Sequence, residues 1–309
     1  MFVSEKFGEG ISIVKYIGTE PFVEVPEKID GLNVLRIGDE AFRGCDFLVE
    51  IVLPETIESV GSYGFCDCRK LGEIVIPPGV TQLGGHTFYN CRNLRSIAMP
   101  NTISYIGDGF IKNCDEIKEI TIDSHRNISS GLAVFLVGIR QFFYLNIKKG
   151  NLRLVFTDYD FEYVTFAHAM KCLTVTHGAG EKYRQAIENS RINFETYDSC
   201  FLKAQIEEKE DTVLEIAITR LKSSFMLKDE FANKYQDYIV NNLKAAIEYC
   251  AKKNDISAVE MFKDKGIFKQ GNIDTAVETA ATCKNSELSA YILDIKLSTF
   301  KATTKNFDL

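Results

Sequence analysis

Ile37-Gly38-Asp39-Glu40-Ala41-Phe42-Arg43-Gly44-Cys45 is the stretch that decides the architecture, because its frame returns three times. Cysteine recurs at Cys45, Cys68, Cys91 and Cys114, 23 residues apart each time. Glycine keeps step at Gly38, Gly61, Gly84 and Gly107, each preceded by an aliphatic residue: Ile37, Val60, Leu83 and Ile106. An aromatic or aliphatic residue keeps step at Phe42, Phe65, Phe88 and Ile111, and Val34, Ile57, Val80 and Ile103 complete the set. Each copy closes on an alternating apolar run: Leu48/Ile51/Leu53, Leu71/Ile74/Ile76, Leu94/Ile97/Met99 and Ile117/Ile120/Ile122. Alternation marks a short strand with one buried face. Proline, which has no N–H to give a ladder, ends three of the runs at Pro54, Pro77 and Pro100. One copy cannot bury its own apolar side, but stacked copies share a continuous core. The spacing predicts a solenoid with Phe42, Phe65, Phe88 and Ile111 as a ladder inside it.

The same alternation fixes what faces outward. Between the inward Leu48, Ile51 and Leu53 stand Glu50 and Val52. The register carries them to Glu73 and Val75, to Ser96 and Ala98, and to Glu119 and Thr121. Strands stack about 4.8 Å apart, so the solenoid is expected to show a column Glu, Glu, Ser, Glu beside a column Val, Val, Ala, Thr. Like charges on adjacent strands cost stability, and the ordinary reading is a solvated sheet face. The functional reading is a binding strip with an acidic edge.

Segments such as Ile37–Cys45 and Leu71-Gly-Glu-Ile-Val-Ile-Pro77 resemble the BspA-type leucine-rich-repeat family, and Phe22-Val-Glu-Val-Pro26 followed by Ile29-Asp-Gly31 resembles its entry repeat. The resemblance covers Gly18 to Asp123. In the fourth copy Phe110 stands where Ala41, Gly64 and Thr87 stand, and Asp123 replaces the proline, which reads as the end of the array. The resemblance implies a bacterial binding or adhesion protein.

Charge is distributed unevenly. Met1–Asp123 carries 11 Lys and Arg against 19 Asp and Glu, a net of −8, while the remainder is at +1. Such acidity argues against a phosphate-binding surface in the repeats, and so against a nucleic-acid partner. The expected partner is a protein that is basic at the contact. No basic segment followed by an apolar run opens the chain, and Leu132–Val137 is far too short to span a bilayer. The nine cysteines are odd in number and follow the repeat, not a disulfide framework. The expectation is a cytoplasmic protein with reduced thiols, the alternative being secretion or surface display after removal of a signal peptide.

Beyond Asp123 the pattern changes. Phe143-Tyr-Leu-Asn-Ile147 and Leu152-Arg-Leu-Val-Phe156 flank Gly150-Asn151 and read as a hairpin, and Glu181–Asn189 reads as a short helix. Residues 124–204 are expected to form a cap or small α/β insert, since terminal units of a solenoid must cover its open core. From 205 to 309 the period becomes helical. Leu243-Lys-Ala-Ala-Ile-Glu248 lines up with Ile273-Asp-Thr-Ala-Val-Glu278, and Asp255 and Ser286 are candidate N-caps. Ala251–Gly266 resembles an ankyrin-type helical hairpin, without the Thr-Pro-Leu-His turn of that repeat. The predicted fold is α+β: a leucine-rich-repeat solenoid over 1–123, the insert, then helical hairpins.

Candidates for chemistry are few. Parallel stacked cysteines do not converge on one ion as tetrahedral ligands must, so Cys45, Cys68, Cys91 and Cys114 read as small core residues. His168, Cys172 and His177 lie near one another without a metal-binding frame. His177-Gly-Ala-Gly180 before a helix offers a weak anion-binding turn. No cofactor or metal is expected. The leading reading is a non-catalytic protein-binding scaffold, against an enzyme with its site in residues 124–200 and a cell-surface adhesin.

Overall fold

The computed structural model describes residues 1–125, 127–166 and 171–300. An antiparallel hairpin, β1 (Phe2–Phe7) and β2 (Gly10–Tyr16), opens the chain. β2 pairs in parallel with β5 (Leu32–Ile37), and β7 (Ser59–Val60), β9 (Gln82–Leu83) and β11 (Tyr105–Ile106) follow, one per repeat. β4 (Lys28–Ile29) turns back antiparallel onto β5. A second face carries β3 (Phe22–Glu24) paired in parallel with β6 (Glu50–Val52). Beside them run β8 (Glu73–Val75), β10 (Ser96–Pro100) and β12 (Glu119–Asp123), again parallel. Parallel neighbours one repeat apart are what a solenoid requires.

The predicted core positions are buried, except the fourth rung of the ladder. Val34, Ile57, Val80 and Ile103 are fully enclosed, as are Leu48, Leu71 and Leu94. The aromatic ladder is a stack: ring centroids of Phe42 and Phe65 lie 5.1 Å apart and those of Phe65 and Phe88 5.3 Å apart, with interplanar angles of 16° and 6°. Tyr16 of the opening hairpin stacks on Phe42 at 5.3 Å and closes that end. Thiols form a second ladder: Cys68, Cys91 and Cys114 donate to the carbonyls of Phe42, Phe65 and Phe88 at 3.2, 3.0 and 2.8 Å.

The fourth rung differs from the expectation. Phe110, not Ile111, is buried in line with Phe88, edge-on at 5.2 Å and 82°, while Ile111 is half-exposed. In inner copies the place of Phe110 holds Ala41, Gly64 or Thr87, packed beneath the next turn. The last copy has no next turn, so a ring fits there and buries more apolar area than Ile111 would. Phe135 of α1 (Ser130–Gly138) then meets Phe110 edge-on at 5.4 Å.

Residues 124–197 extend the same unit. β13 (Phe143–Ile147) adds in parallel to β12, and β14 (Leu152–Phe156) returns antiparallel, the hairpin expected from Gly150-Asn151. β14 is an edge, and α3 (Phe194–Ser199) supplies its cover. The Tyr197 hydroxyl accepts from the Val155 N–H at 2.9 Å and donates to the Val155 carbonyl at 2.7 Å. α2 (Gly180–Gln185) is shorter than the helix expected over Glu181–Asn189, because β17 (Ile187–Glu188) turns onto β18 (Arg191–Ile192). Its Arg184 is buried and donates to the carbonyls of Ile139, Gln141 and Gly180 at 2.9, 2.7 and 3.0 Å, and to that of Thr157. β15 (Asp160–Phe166) and β16 (Lys171–His177) form a separate antiparallel pair.

The chain divides into two compact units, Met1–Tyr197 and Asp198–Leu309. The second is helical: α4 (Phe201–Glu207), α5 (Glu210–Lys222), α6 (Asp229–Asn241), α7 (Leu243–Lys253), α8 (Ile256–Asp264), α9 (Ile273–Thr282) and α10 (Ser286–Thr299). Asp255 caps α8 as expected, accepting from Ala258 N–H at 3.1 Å. At α10 the cap is Asn285, one residue before the expected Ser286, accepting from Leu288 N–H at 3.0 Å. An amide oxygen there reaches the third helical N–H, and the same amide donates to Asn254 at 2.8 Å. A charge pair lies in the core of this unit: Asp198 accepts from Arg220 at 2.8 and 3.1 Å and from the Tyr235 hydroxyl at 2.8 Å. No helix among the described residues is long and apolar enough to cross a membrane.

Candidate binding surface

The strand face is where the repeat lays out identical positions side by side. Glu73, Ser96 and Glu119 are register partners, and so are Val75, Ala98 and Thr121. Glu50 and Val52 pair with Phe22 and Glu24 on the other side, so the columns start one strand earlier than the repeat alone indicates. They also run on, Glu119 to Tyr144 and Thr121 to Asn146.

The two ends of this face differ. At the N-terminal end Phe22, Val52 and Val75 are 66, 52 and 65% exposed. Glu24, Glu50 and Glu73 lie exposed in the same strands. Two grooves run here. One of about 250 Å³ is lined by Glu50, Val52, Glu55, Glu73, Val75, Pro77 and Pro78. The other, about 800 Å³, is lined by Glu24, Pro26, Glu27, Val52, Pro54 and Glu55. None of these glutamates is in an ion pair among the described residues. The prolines that end the strands wall the grooves, so the strand stops shape the surface as well as the fold.

At the C-terminal end the acid is neutralised. Both Glu119 carboxylate oxygens bind Arg153, at 2.7 and 3.1 Å, and Asn146 donates to the same group at 2.7 Å. The Arg153 guanidinium lies 4.0 Å from the Tyr144 ring centroid. Ser96, Ala98, Glu119 and Thr121 are half-buried. Of the eight residues expected to form the strip, Glu50, Val52, Glu73 and Val75 make its open part. Phe22 and Glu24 join them, legible only by aligning Phe22–Pro26 with Glu50–Pro54.

The candidates for chemistry fall elsewhere. His177 Nε2 lies 3.1 Å from Glu162 Oε2, but both side chains are exposed, at 60 and 65%, and neither lines the two grooves of the strand face. His86 stacks on Tyr63 at 5.0 Å and 10°. His168 lies outside the described residues. Gly180 opens a helix of six residues, packed on the carbonyls of Thr157 and Asp158. Among the described residues eight cysteines are free, seven of them buried, and no group of three His, Cys, Asp or Glu is placed to hold a metal ion. Burial pushes the Cys45 and Cys66 thiols up to about 11.

Residues 27–135 match the BspA type leucine rich repeat region in six copies. Among solved structures, a leucine rich repeat protein of T. pallidum is 27% identical over 39% of this chain and 68% of its own, with a TM-score of 0.34. A leucine rich cell surface protein of Faecalibacterium prausnitzii is 24% identical over 39% of this chain and 38% of its own, with a TM-score of 0.31. A leucine-rich repeat protein of Bacteroides capillosus is 17% identical over 40% of this chain and 94% of its own, with a TM-score of 0.37. No curated protein matches the chain. The repeats of the N-terminal unit are BspA-type leucine-rich repeats, a solenoid scaffold on which the strand face is displayed.

Proposed function

We propose that the chain is a non-catalytic protein-binding scaffold that meets a basic partner on the N-terminal half of the strand face. The observation that supports this most is the exposure of Phe22, Val52 and Val75 amid Glu24, Glu50 and Glu73, none of them ion-paired among the described residues. Apolar contact surrounded by charge of one sign is the make-up of a recognition patch: burial supplies affinity, and the charge steers the approach and selects the partner. Cys68, Cys91 and Cys114, buried donors to backbone carbonyls, favour a reducing compartment. Affinity capture from the native lysate tests the binding reading. The parent chain and a Glu50→Lys/Glu73→Lys/Val75→Asp variant are used side by side, and captured proteins are quantified by mass spectrometry. A basic protein retained by the parent and lost from the variant is expected. Identical captured sets would contradict the assignment to this face.

A further inference from the structure

The stacked turns hold one another through a second ladder, and it ends open. Glu40, Phe42 and Gly44 donate their N–H groups to the carbonyls of Ser62, Gly64 and Cys66 at 3.0, 2.8 and 2.8 Å. Tyr63, Phe65 and Asp67 donate to Gly85, Thr87 and Tyr89, and His86, Phe88 and Asn90 to Asp108, Phe110 and Lys112, all within 3.0 Å. In the last turn the same places belong to Gly109, Ile111 and Asn113. The backbone keeps the shape of the turn before it: φ is +65° and +63° at Gly109 and Asn113, against +56° and +64° at His86 and Asn90. None of these three N–H groups has an acceptor among the described residues. Two other open places of this unit are closed: Tyr16 N–H serves the Ala41 carbonyl at the first turn, and Tyr197 serves both groups of Val155 on the edge strand.

The space where a fifth turn would stack is a cleft of about 500 Å³ between residues 106–113 and the α1 side, lined there by Val134, Phe135, Gly138 and Arg140. Val134 is 76% exposed, and Arg140 and Lys112, also in the lining, are in no ion pair among the described residues. Phe135 already covers the ring ladder, so what remains is a backbone edge, an apolar wall, the Asp108 carboxylate and two cations, of which Arg140 lies 4.9 Å from the Phe161 ring centroid. Donors on alternate residues run parallel along a ladder and do not converge as a small-anion site needs. They match alternate carbonyls of a segment coiled as each preceding turn is, which is how Asp108, Phe110 and Lys112 accept from His86, Phe88 and Asn90.

We propose that this cleft docks a peptide segment of a partner protein, coiled as a repeat turn is, which continues the turn ladder through Gly109, Ile111 and Asn113, rests an aliphatic side chain on Val134 and sets an acidic residue against Lys112 and Arg140. Each preceding interface in the array is the precedent for the backbone contact, and the cations select the acid. The segment is opposite in charge to the partner of the strand face, and the two sites are separate.

The test uses phage-displayed 12-residue peptides selected on the full chain, then synthesised and measured by fluorescence anisotropy. Binders are expected to carry Asp or Glu and an aliphatic residue. Replacing the Ile111 amide by its ester through nonsense suppression deletes one N–H and keeps the side chain, and is expected to weaken binding by about tenfold. Val134→Glu, at an exposed position that leaves folding intact, is expected to weaken it at least as much, and Glu73→Lys to leave it unchanged. Failure to enrich any peptide, or affinity that survives the Ile111 ester, overturns the proposal. So does a loss on Glu73→Lys, which would assign the peptide to the strand face.

Discussion

Phe65 has a ring on each side at just over 5 Å and no exposure at all. Phe65→Ala is expected to cost about 3–5 kcal/mol, read as a fall in the denaturant midpoint of the N-terminal unit. Its position was legible because three copies agree on it. The end of the ladder was not, since the choice between Phe110 and Ile111 depends on a missing neighbour and on Phe135, 25 residues further on. Glu119 shows the same limit: its column is set by the repeat, but the arginine that neutralises it comes from a strand 34 residues away. At Arg184 the four carbonyls served by one guanidinium would lose their donor in Arg184→Met. A loss of about 3 kcal/mol is expected in chemical denaturation.

Elements were legible where one periodicity ran long enough. The hairpin of β13 and β14 follows from alternation around Gly150-Asn151, but its parallel pairing with β12 does not, because nothing local in a strand names its neighbour. The insert thereby continues the sheet of the solenoid, and Tyr197 finishes the edge that the hairpin leaves. In the helical unit the break between α6 and α7 falls at Asn242, where no glycine or proline marks it. Helix α8 depends on its cap. Asp255→Ala removes the acceptor for Ala258 and the partner of Lys222 at 3.0 Å, and should cost about 1 kcal/mol, measured as a lower melting temperature of the helical unit. Asp255→Asn, which keeps the cap, should recover most of it.

For the whole molecule, pH reports on the buried thiols. Burial raises Cys45 and Cys66 from an ordinary value of 9.0 to about 11, and Cys250 to about 12. The unfolded chain therefore loses these protons first as pH rises. Stability should be fully present below pH 9 and fall steadily between 9 and 12, checked by calorimetry across that range. A flat profile there would mean that the thiols are not held as neutral core groups. The strand face is the larger question, because its charge belongs to no residue alone. A rim glutamate contributes only about 0.2–1 kcal/mol, but Glu24, Glu50 and Glu73 act together on an approaching charge, within a screening length of about 8–10 Å near physiological salt. The most direct test is stopped-flow association of the chain with its captured partner over a salt series, for the parent and for Glu50→Gln/Glu73→Gln. The parent's association rate should fall steeply with salt, and the variant should associate more slowly with a flatter dependence. Equal rates with equal salt dependence would contradict the assignment of the binding surface.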